Sequence, residues 1–295
     1  MFGGRPNALI SSLGDNPRMP ATFHSMPDAS SFRRTAASMW SAPNNPSIHG
    51  SMDVDATSAL AFLEAHRART GQKLTMTHLV CSATARALAK YPDLNAKVRF
   101  GGRLEKRSTV DLFVSVSTGN GKDLSGAKIE RADELDWSAW CEAIGGKAKQ
   151  IREGKDPAFE KSRNLFKALP FFLLRPLLWL VDVLTNELHV HLPSQGMPRD
   201  PFGSAVITNV GMFGIDTAFA PFVPLGRCPM LVLITEVKDR PWVEDGKLVV
   251  KPVLRLCATF DHRIIDGHAA GLLAKEIRAL LEQPARRQAN VSVAA

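Results

Sequence analysis

The sequence predicts an α/β protein, a two-layer sandwich in which helices cover a mixed β-sheet. Short β-branched runs predict the strands, and apolar residues at three- and four-residue spacing predict the helices. The two kinds of segment do not follow the regular strand–helix order of a purely parallel sheet, which is why we expect mixed strand directions. The 295 residues are 45% hydrophobic and 22% charged, a composition typical of a soluble globular protein.

The first part of the chain is predicted to contain an arm, a short helix, a strand and two longer helices. The arm is rich in Gly, Pro, Ser and Asn, the strand begins at His49, Gly71 stops the first long helix, and Tyr91-Pro92 stops the second. We expect the arm at 1–30, the short helix at 31–39, the strand at 49–56 and the two longer helices at 57–69 and 75–90.

Residues 95–118 are interpreted as a hairpin in which AKVRF pairs with VDLFVSVST across Gly101-Gly102. The remaining elements are more regular, with a strand that ends before Gly211 and a last helix closed by Pro284. They are a helix at 134–153, strands at 204–210 and 230–237, a hairpin turn at Asp245-Gly246 and a helix at 267–283.

Residues 165–184 form a long apolar segment, LFKALPFFLLRPLLWLVDVL. Lys167, Arg175, Asp182 and two prolines interrupt it, so it falls short of a membrane-spanning helix. Three interpretations remain open. The segment forms extra core or a trimer interface, lies flat on a membrane surface with Trp179 among its anchors, or lines a tunnel for a long acyl chain.

The net charge of +8 favours partners that carry phosphate or other acidic groups. Lys and Arg occur along the whole chain without a block interleaved with aromatics, so we do not expect nucleic-acid binding, whereas coenzyme A fits the charge. The cysteines, Cys81, Cys141, Cys228 and Cys257, are far apart and predict reduced thiols in the cytoplasm. Within the cytoplasm, peripheral contact of the protein with the inner face of the membrane stays open.

No metal site is expected. His189 and His191 alternate in a way that could place two ligands together, but no third ligand is evident in the sequence.

The motif with the clearest chemistry is DHRIIDG at 261–267, where an apolar strand gives way to a helix. His262 is held there by two regular elements, and an imidazole can accept and return a proton near neutral pH. The motif alone does not separate this role from that of a structural histidine at a strand end.

Five segments in the same order resemble the catalytic domain of the dihydrolipoamide acyltransferases of 2-oxoacid dehydrogenase complexes, with chloramphenicol acetyltransferase as a more distant relative. They run from 32 to 267, within the expected catalytic domain at 31–284, which a flexible tail at 285–295 follows. They are FRRTAASM at 32–39, VDAT at 54–57, YPDLNAKV at 91–98, ITNVGMFGID at 207–216 and DHRIIDG at 261–267.

The resemblance implies a coenzyme-A-dependent acyltransferase fold, a homotrimer and transfer of an acyl group between a thioester and a thiol. His262 would be the general base and Thr208 the oxyanion-stabilising hydroxyl, either across a subunit interface or within one cleft. The resemblance also places Asp266 in the catalytic loop.

Three further residues are assigned as structural support by the same resemblance. Arg33, with Arg34 as the second choice, is expected to pair with Asp266. Asn209 would orient nearby backbone or form a turn, and Gly267 would let the chain turn tightly into the last helix.

The sequence also departs from the family pattern. About 30 residues precede the catalytic domain, too few for lipoyl and subunit-binding domains, so the expected thioester is acyl-coenzyme A, acyl carrier protein or a lipoyl group on another protein. GKDLSGAKIERAD replaces the family's Gly-Leu-Val-Val-Pro-Val run, which leaves substrate choice open, and an apolar insertion occupies about 163–200. Two other functions stay open: an O- or N-acyltransferase acting on a small molecule or lipid, and an inactive scaffold or membrane-associated assembly protein.

Overall fold

The structure is a computed structural model that describes residues 45–117, 124–152, 170–190, 200–223 and 226–285. The predicted arm at 1–30, the short helix at 31–39 and the tail after 285 lie outside these residues.

A six-stranded sheet forms one layer of the protein, in the order β1-β8-β7-β6-β4-β5. β6 runs parallel to both β4 and β7, and the other neighbouring pairs are antiparallel, so the predicted mixed sheet is confirmed. The strands are β1 (Ser47–Asp55), β2 (Ala96–Val98), β3 (Leu104–Lys106), β4 (Leu112–Ser117), β5 (Leu124–Ile129), β6 (Ala205–Asn209), β7 (Met230–Glu244) and β8 (Lys247–Asp261). β2 and β3 pair separately as a two-stranded ribbon.

Helices form the second layer and bury the main core against one face of the sheet. Alternate sheet residues such as Ile207, Leu254 and Leu256 pack there with helix residues such as Leu88 and Leu273. The helices are α1 (Thr57–Thr70), α2 (Met76–Lys90), α3 (Trp137–Arg152), α4 (Phe171–Asp182) and α5 (Gly267–Glu282). A smaller apolar cluster lies on the opposite face of the sheet.

The helix ends follow the sequence signals closely. Gly71 adopts a left-handed conformation after α1, with φ 71°, and its N–H donates to the Arg67 carbonyl. α3 begins at Trp137, three residues later than the sequence suggested, because the Asp136 carboxylate accepts the Ala139 N–H at 2.8 Å and caps the helix there.

The predicted hairpin at 95–118 is wrong in its second strand. The ribbon pairs β2 with β3 across the left-handed Gly101 and Gly102, with Ala96 opposite Lys106. VDLFVSVST instead supplies β4 of the main sheet. The physical reason is burial: alternate residues of this run, Val110, Leu112, Val114 and Val116, are almost fully buried, which a surface ribbon cannot provide.

From Phe171 on, the apolar segment forms α4, followed by one turn of π-helix at Val183–Glu187. Ion pairs fix its end to the rest of the protein. Arg227 donates to both Asp182 and Glu187, and Arg99 Nε donates to Glu187 Oε2 at 3.1 Å. Within the described residues, no helix is long and apolar enough to cross a membrane.

Candidate active site

The turn that carries His262 is held rigidly at both ends. The His262 N–H donates to the Pro46 carbonyl at 2.8 Å, and the Asp261 carbonyl accepts the N–H groups of Ile264 and Ile265, both at 2.9 Å. Ile265 is fully buried, whereas His262 is exposed. The strand-to-helix junction therefore presents an imidazole to solvent on a backbone with little freedom to move.

Asp261 stabilises the same turn from inside. Its side chain is almost buried, and it accepts hydrogen bonds from Arg263 Nε at 2.9 Å and Arg263 Nη2 at 2.6 Å. The hydrogen bonds from Arg263 to this carboxylate raise the pKa of the guanidinium. The sequence analysis missed this pair. The alternation of β8 was the available signal, because it turns Asp261 inward with Cys257 and Thr259.

Asp266 caps α5: its Oδ1 atom accepts the Ala269 N–H at 2.8 Å. The expected partner Arg33 lies outside the described residues. The structure does not support a tight-turn role for Gly267, because its φ is not in the left-handed region and a Cβ there would meet open space. The turn into α5 is instead set by the cap and by the bonds to Asp261.

Thr208 and Asn209 lie at the end of β6. Asn209 Nδ2 donates to Thr77 Oγ1 at 3.0 Å, and its Oδ1 accepts the Gly211 N–H at 3.0 Å, a contact that fits both expected roles of Asn209, orienting backbone and forming a turn. Thr208 alternates with the buried Ile207 and faces the side of the sheet away from the helices. Its hydroxyl is partly exposed and has no hydrogen-bond partner among the described residues.

Thr208 and His262 are far apart in one subunit. Thr208 pairs with Leu233 of β7, which pairs with Cys257 of β8. His262 follows Cys257 by five residues, or about 17 Å along the strand, and two strand spacings of about 4.8 Å separate β6 from β8. The expectation that both residues share a cleft within one subunit is therefore wrong, and the alternative of a site between subunits remains.

His49 is a further polar residue on the sheet face that carries Thr208. Its Nδ1 atom lies 3.1 Å from Thr259 Oγ1, and Thr259 Oγ1 donates to the Ala220 carbonyl at 2.9 Å. Because that hydroxyl has a single proton, it accepts from His49, which places the ring proton on Nδ1 and leaves Nε2 as an acceptor. The sequence analysis treated His49 only as the start of a strand.

The described residues contain no group of three or more metal-binding side chains. His189 Nε2 instead lies 3.0 Å from Glu105 Oε1, and His191 is outside the described residues. All four cysteines are free, as the sequence predicted, and burial raises the pKa of the Cys228 thiol to about 12.

The chain is similar to a known family of proteins. The model of the 2-oxoacid dehydrogenases acyltransferase (catalytic domain) matches residues 23–161 and 201–288. The chain belongs to this family. The match to the acyltransferase model passes over 162–200, where the sequence analysis places the apolar insertion.

Two curated acyltransferases illustrate the relationship. The acetyltransferase component of the acetoin cleaving system of Bacillus subtilis (strain 168) is 27% identical over 74% of this chain and 44% of its own length. The succinyltransferase component of the 2-oxoglutarate dehydrogenase complex of Rickettsia typhi (strain ATCC VR-144 / Wilmington) is 26% identical, also over 74% of this chain and 44% of its own length. The chain thus spans less than half the length of these relatives.

Solved structures confirm the acyltransferase fold. A probable dihydrolipoamide acetyltransferase from Listeria monocytogenes 4b F2365 has a TM-score of 0.61 at 20% identity, over 90% of this chain and 96% of that chain. The cubic core of the pyruvate dehydrogenase multienzyme complex has a TM-score of 0.60 at 21% identity, over 95% of this chain and 97% of that chain.

Proposed function

We propose that this chain is an acyltransferase that moves an acyl group between a thioester and a thiol, with His262 as the general base. The observation that carries the proposal is the family match across both β6 and the DHRIIDG turn, where the structure presents His262 exposed on a fixed backbone. Membership of the family supports acyl transfer in general. The roles of His262 and Thr208 are what the proposal adds.

The reaction needs one base and one hydrogen-bond donor. His262 takes the proton of the acceptor thiol, whose pKa in the free state is about 8.5, and the thiolate attacks the acyl carbon of the donor thioester. The oxyanion of the tetrahedral intermediate accepts a hydrogen bond from the Thr208 hydroxyl, an interaction worth about 3 kcal/mol. The carbon–sulfur bond to the donor then breaks, and the departing thiolate receives the proton from His262.

The proposed active unit is a homotrimer in which His262 of one subunit faces Thr208 of the next. The register separation within one chain supports this arrangement, since neither residue can reach the other in its own sheet. A solved neighbour is the core of a multienzyme complex, which also fits self-assembly.

The spacing of the residues supports their assigned roles. The solved dihydrolipoamide acetyltransferase of Azotobacter vinelandii was studied for the role of a serine, a histidine and an asparagine in its catalytic mechanism. There the asparagine follows the histidine by four positions and the serine precedes it by 52. Here Asp266 follows His262 by four positions, and Thr208 precedes it by 54.

The proposed thioester is acyl-coenzyme A, acyl carrier protein or a lipoyl group on another protein, and coenzyme A is the proposed thiol when the acyl group comes from one of the other two. The curated relatives are acyltransferases of dihydrolipoyllysine residues, which supports a lipoyl partner. The net charge of +8 supports a phosphate-bearing substrate. The reaction uses no metal, and the free thiols support a cytoplasmic location.

The direct test incubates the purified protein with acetyl-coenzyme A and dihydrolipoamide and follows both the new thioester and free coenzyme A by chromatography. The proposal predicts turnover that is lost in His262→Ala and kept in His268→Ala, an exposed histidine on α5. A panel of alcohols and amines tests the O- and N-acyl alternative. Failure with every acceptor and several acyl-coenzyme A donors would favour the scaffold interpretation.

A further inference from the structure

α4 presents an apolar stripe to solvent. Among the α4 residues whose side chains the structure describes, the exposed ones follow helical spacing at i, i+1, i+4, i+7 and i+8 and are apolar: Phe172, Leu173, Pro176, Trp179 and Leu180. Phe172 is 74% exposed and Trp179 is 60% exposed. A surface helix normally turns such a stripe toward the core, so this orientation indicates a partner.

The orientation of α4 is held by bonds at its C-terminal end. Leu177, Leu178 and Val181 are half-buried. At the C-terminal end, Arg227 donates to Asp182 at 2.5 Å, and the Phe100 N–H donates to Glu187 at 2.9 Å. Rolling the stripe inward would break these bonds and leave acidic groups without partners.

The chain that leads into this helix is strongly basic. Residues 145–175 contain eight Lys and Arg against three Asp and Glu, so this stretch supplies five of the eight net positive charges of the protein. The acidic residues that follow, Asp182 and Glu187, are already paired with Arg227. The sequence therefore places positive charge directly before an exposed apolar helix, the combination that binds anionic lipid surfaces.

The residues matched by the family model do not include α4, since the match passes over 162–200.

We propose that α4 binds the surface of an anionic bilayer, lying flat with Phe172 and Trp179 at the boundary between headgroups and acyl chains. The helix has 12 residues and is about 18 Å long, too short to span the hydrocarbon core but suited to this depth. Tryptophan favours that boundary. The proposal is independent of acyl transfer, since it uses no residue of the proposed catalytic site.

The test is co-sedimentation of the full chain with vesicles of phosphatidylcholine alone and of phosphatidylcholine with phosphatidylglycerol at three to one. We expect binding to the anionic vesicles that weakens at least tenfold in the double variant Phe172→Ser with Trp179→Ser. The matched control, Leu248→Ser with Val250→Ser, removes two equally exposed apolar residues from the β7–β8 hairpin and should bind as the unchanged protein does.

Several results would overturn the proposal: no binding to either vesicle, equal binding to both, or equal loss in the two double variants. Light scattering after size-exclusion chromatography adds a second readout. If the α4 variant changes the subunit number while vesicle binding is unaffected, the stripe covers a second copy of the chain instead. Raising salt from 0.1 to 0.5 M should weaken the binding to anionic vesicles, because dissolved ions screen the attraction between basic side chains and anionic headgroups.

Discussion

Thr208 and His262 lie at opposite ends of the sheet. Each is at the carboxyl end of its own strand, but β6 and β8 run in opposite directions. Thr208 lies level with Cys257 in the sheet, and His262 comes five residues later, beyond the end of β8. A catalytic pair built from these residues therefore needs two copies of the chain. In the proposed site, the turn around His262 and the end of β6 would be the two halves.

Replacing His262 by Ala should lower the turnover rate by about 10²–10⁴-fold, because the acceptor thiol loses its base. Thermal stability should change little, since the imidazole is exposed and its own side chain has no hydrogen-bond partner among the described residues. Steady-state rates and melting curves measure the two effects. A His262→Ala protein with full turnover would refute the assigned role.

Asp266 is predicted to act first as a helix cap. Asp266→Ala should lower the free energy of unfolding by about 1 kcal/mol through loss of the bond to Ala269, whereas Asp266→Asn should keep the cap. If the carboxylate also pairs with Arg33, the Asn variant should lose activity while remaining folded. Urea unfolding and turnover of both variants separate the contributions, and a fully active Asn variant would exclude the ion pair as a requirement.

Gly211 is predicted to be irreplaceable for a steric reason. A Cβ at this position would overlap the backbone of Thr235, so Gly211→Ala should destabilise the protein by more than about 2 kcal/mol. Gly145→Ala in α3 is the control: its Cβ meets open space, and a helical Ala should stabilise by about 0.5–1 kcal/mol. Equal unfolding free energies for the two variants would contradict this account.

Glu187 should stabilise the attachment of α4 in a pH-dependent way. Burial alone would raise its pKa, but hydrogen bonds from Arg227, Phe100 and Arg99 outweigh that effect and lower the pKa to about 2. A lowered pKa in the folded state means that the stabilisation is complete above the unfolded value of about 4.5 and is lost as the pH falls toward 2.

Glu187→Gln should therefore reduce the free energy of unfolding at pH 7, and the difference from the unchanged protein should shrink at pH 3. Urea titrations at both pH values measure it, with Glu64→Gln on exposed α1 as the control. A difference that is the same at both pH values would show that the carboxylate charge does not matter.

The elements were predictable where local patterns and tertiary demands agree. The β7–β8 hairpin follows from Asp245-Gly246 between apolar runs, and α1 ends at Gly71, because turn chemistry alone decides both. The prediction of a hairpin at 95–118 was wrong for two reasons. The partner of AKV is the exposed LEK, and no apolar pattern marks that pairing. The apolar VDLFVSVST pairs in the central sheet instead.

The site was predictable only as separate residues. The motif and the resemblance identify His262 and Thr208, but their separation depends on the register of three strands, which no local pattern encodes. The Asp261–Arg263 pair and the His49–Thr259 contact were missed for the same reason, since each depends on which face of a strand meets the core.

The central claim is tested most directly by mixing two inactive proteins. His262→Ala and Thr208→Ala chains, carrying different tags, are co-expressed, purified through both tags and assayed for acyl transfer. If His262 of one subunit works with Thr208 of the next, each mixed trimer retained by both tags has one unaltered pair among its three sites, and activity should return to about a third of that of the unchanged protein. Activity no higher than that of either single variant would contradict a site formed between subunits.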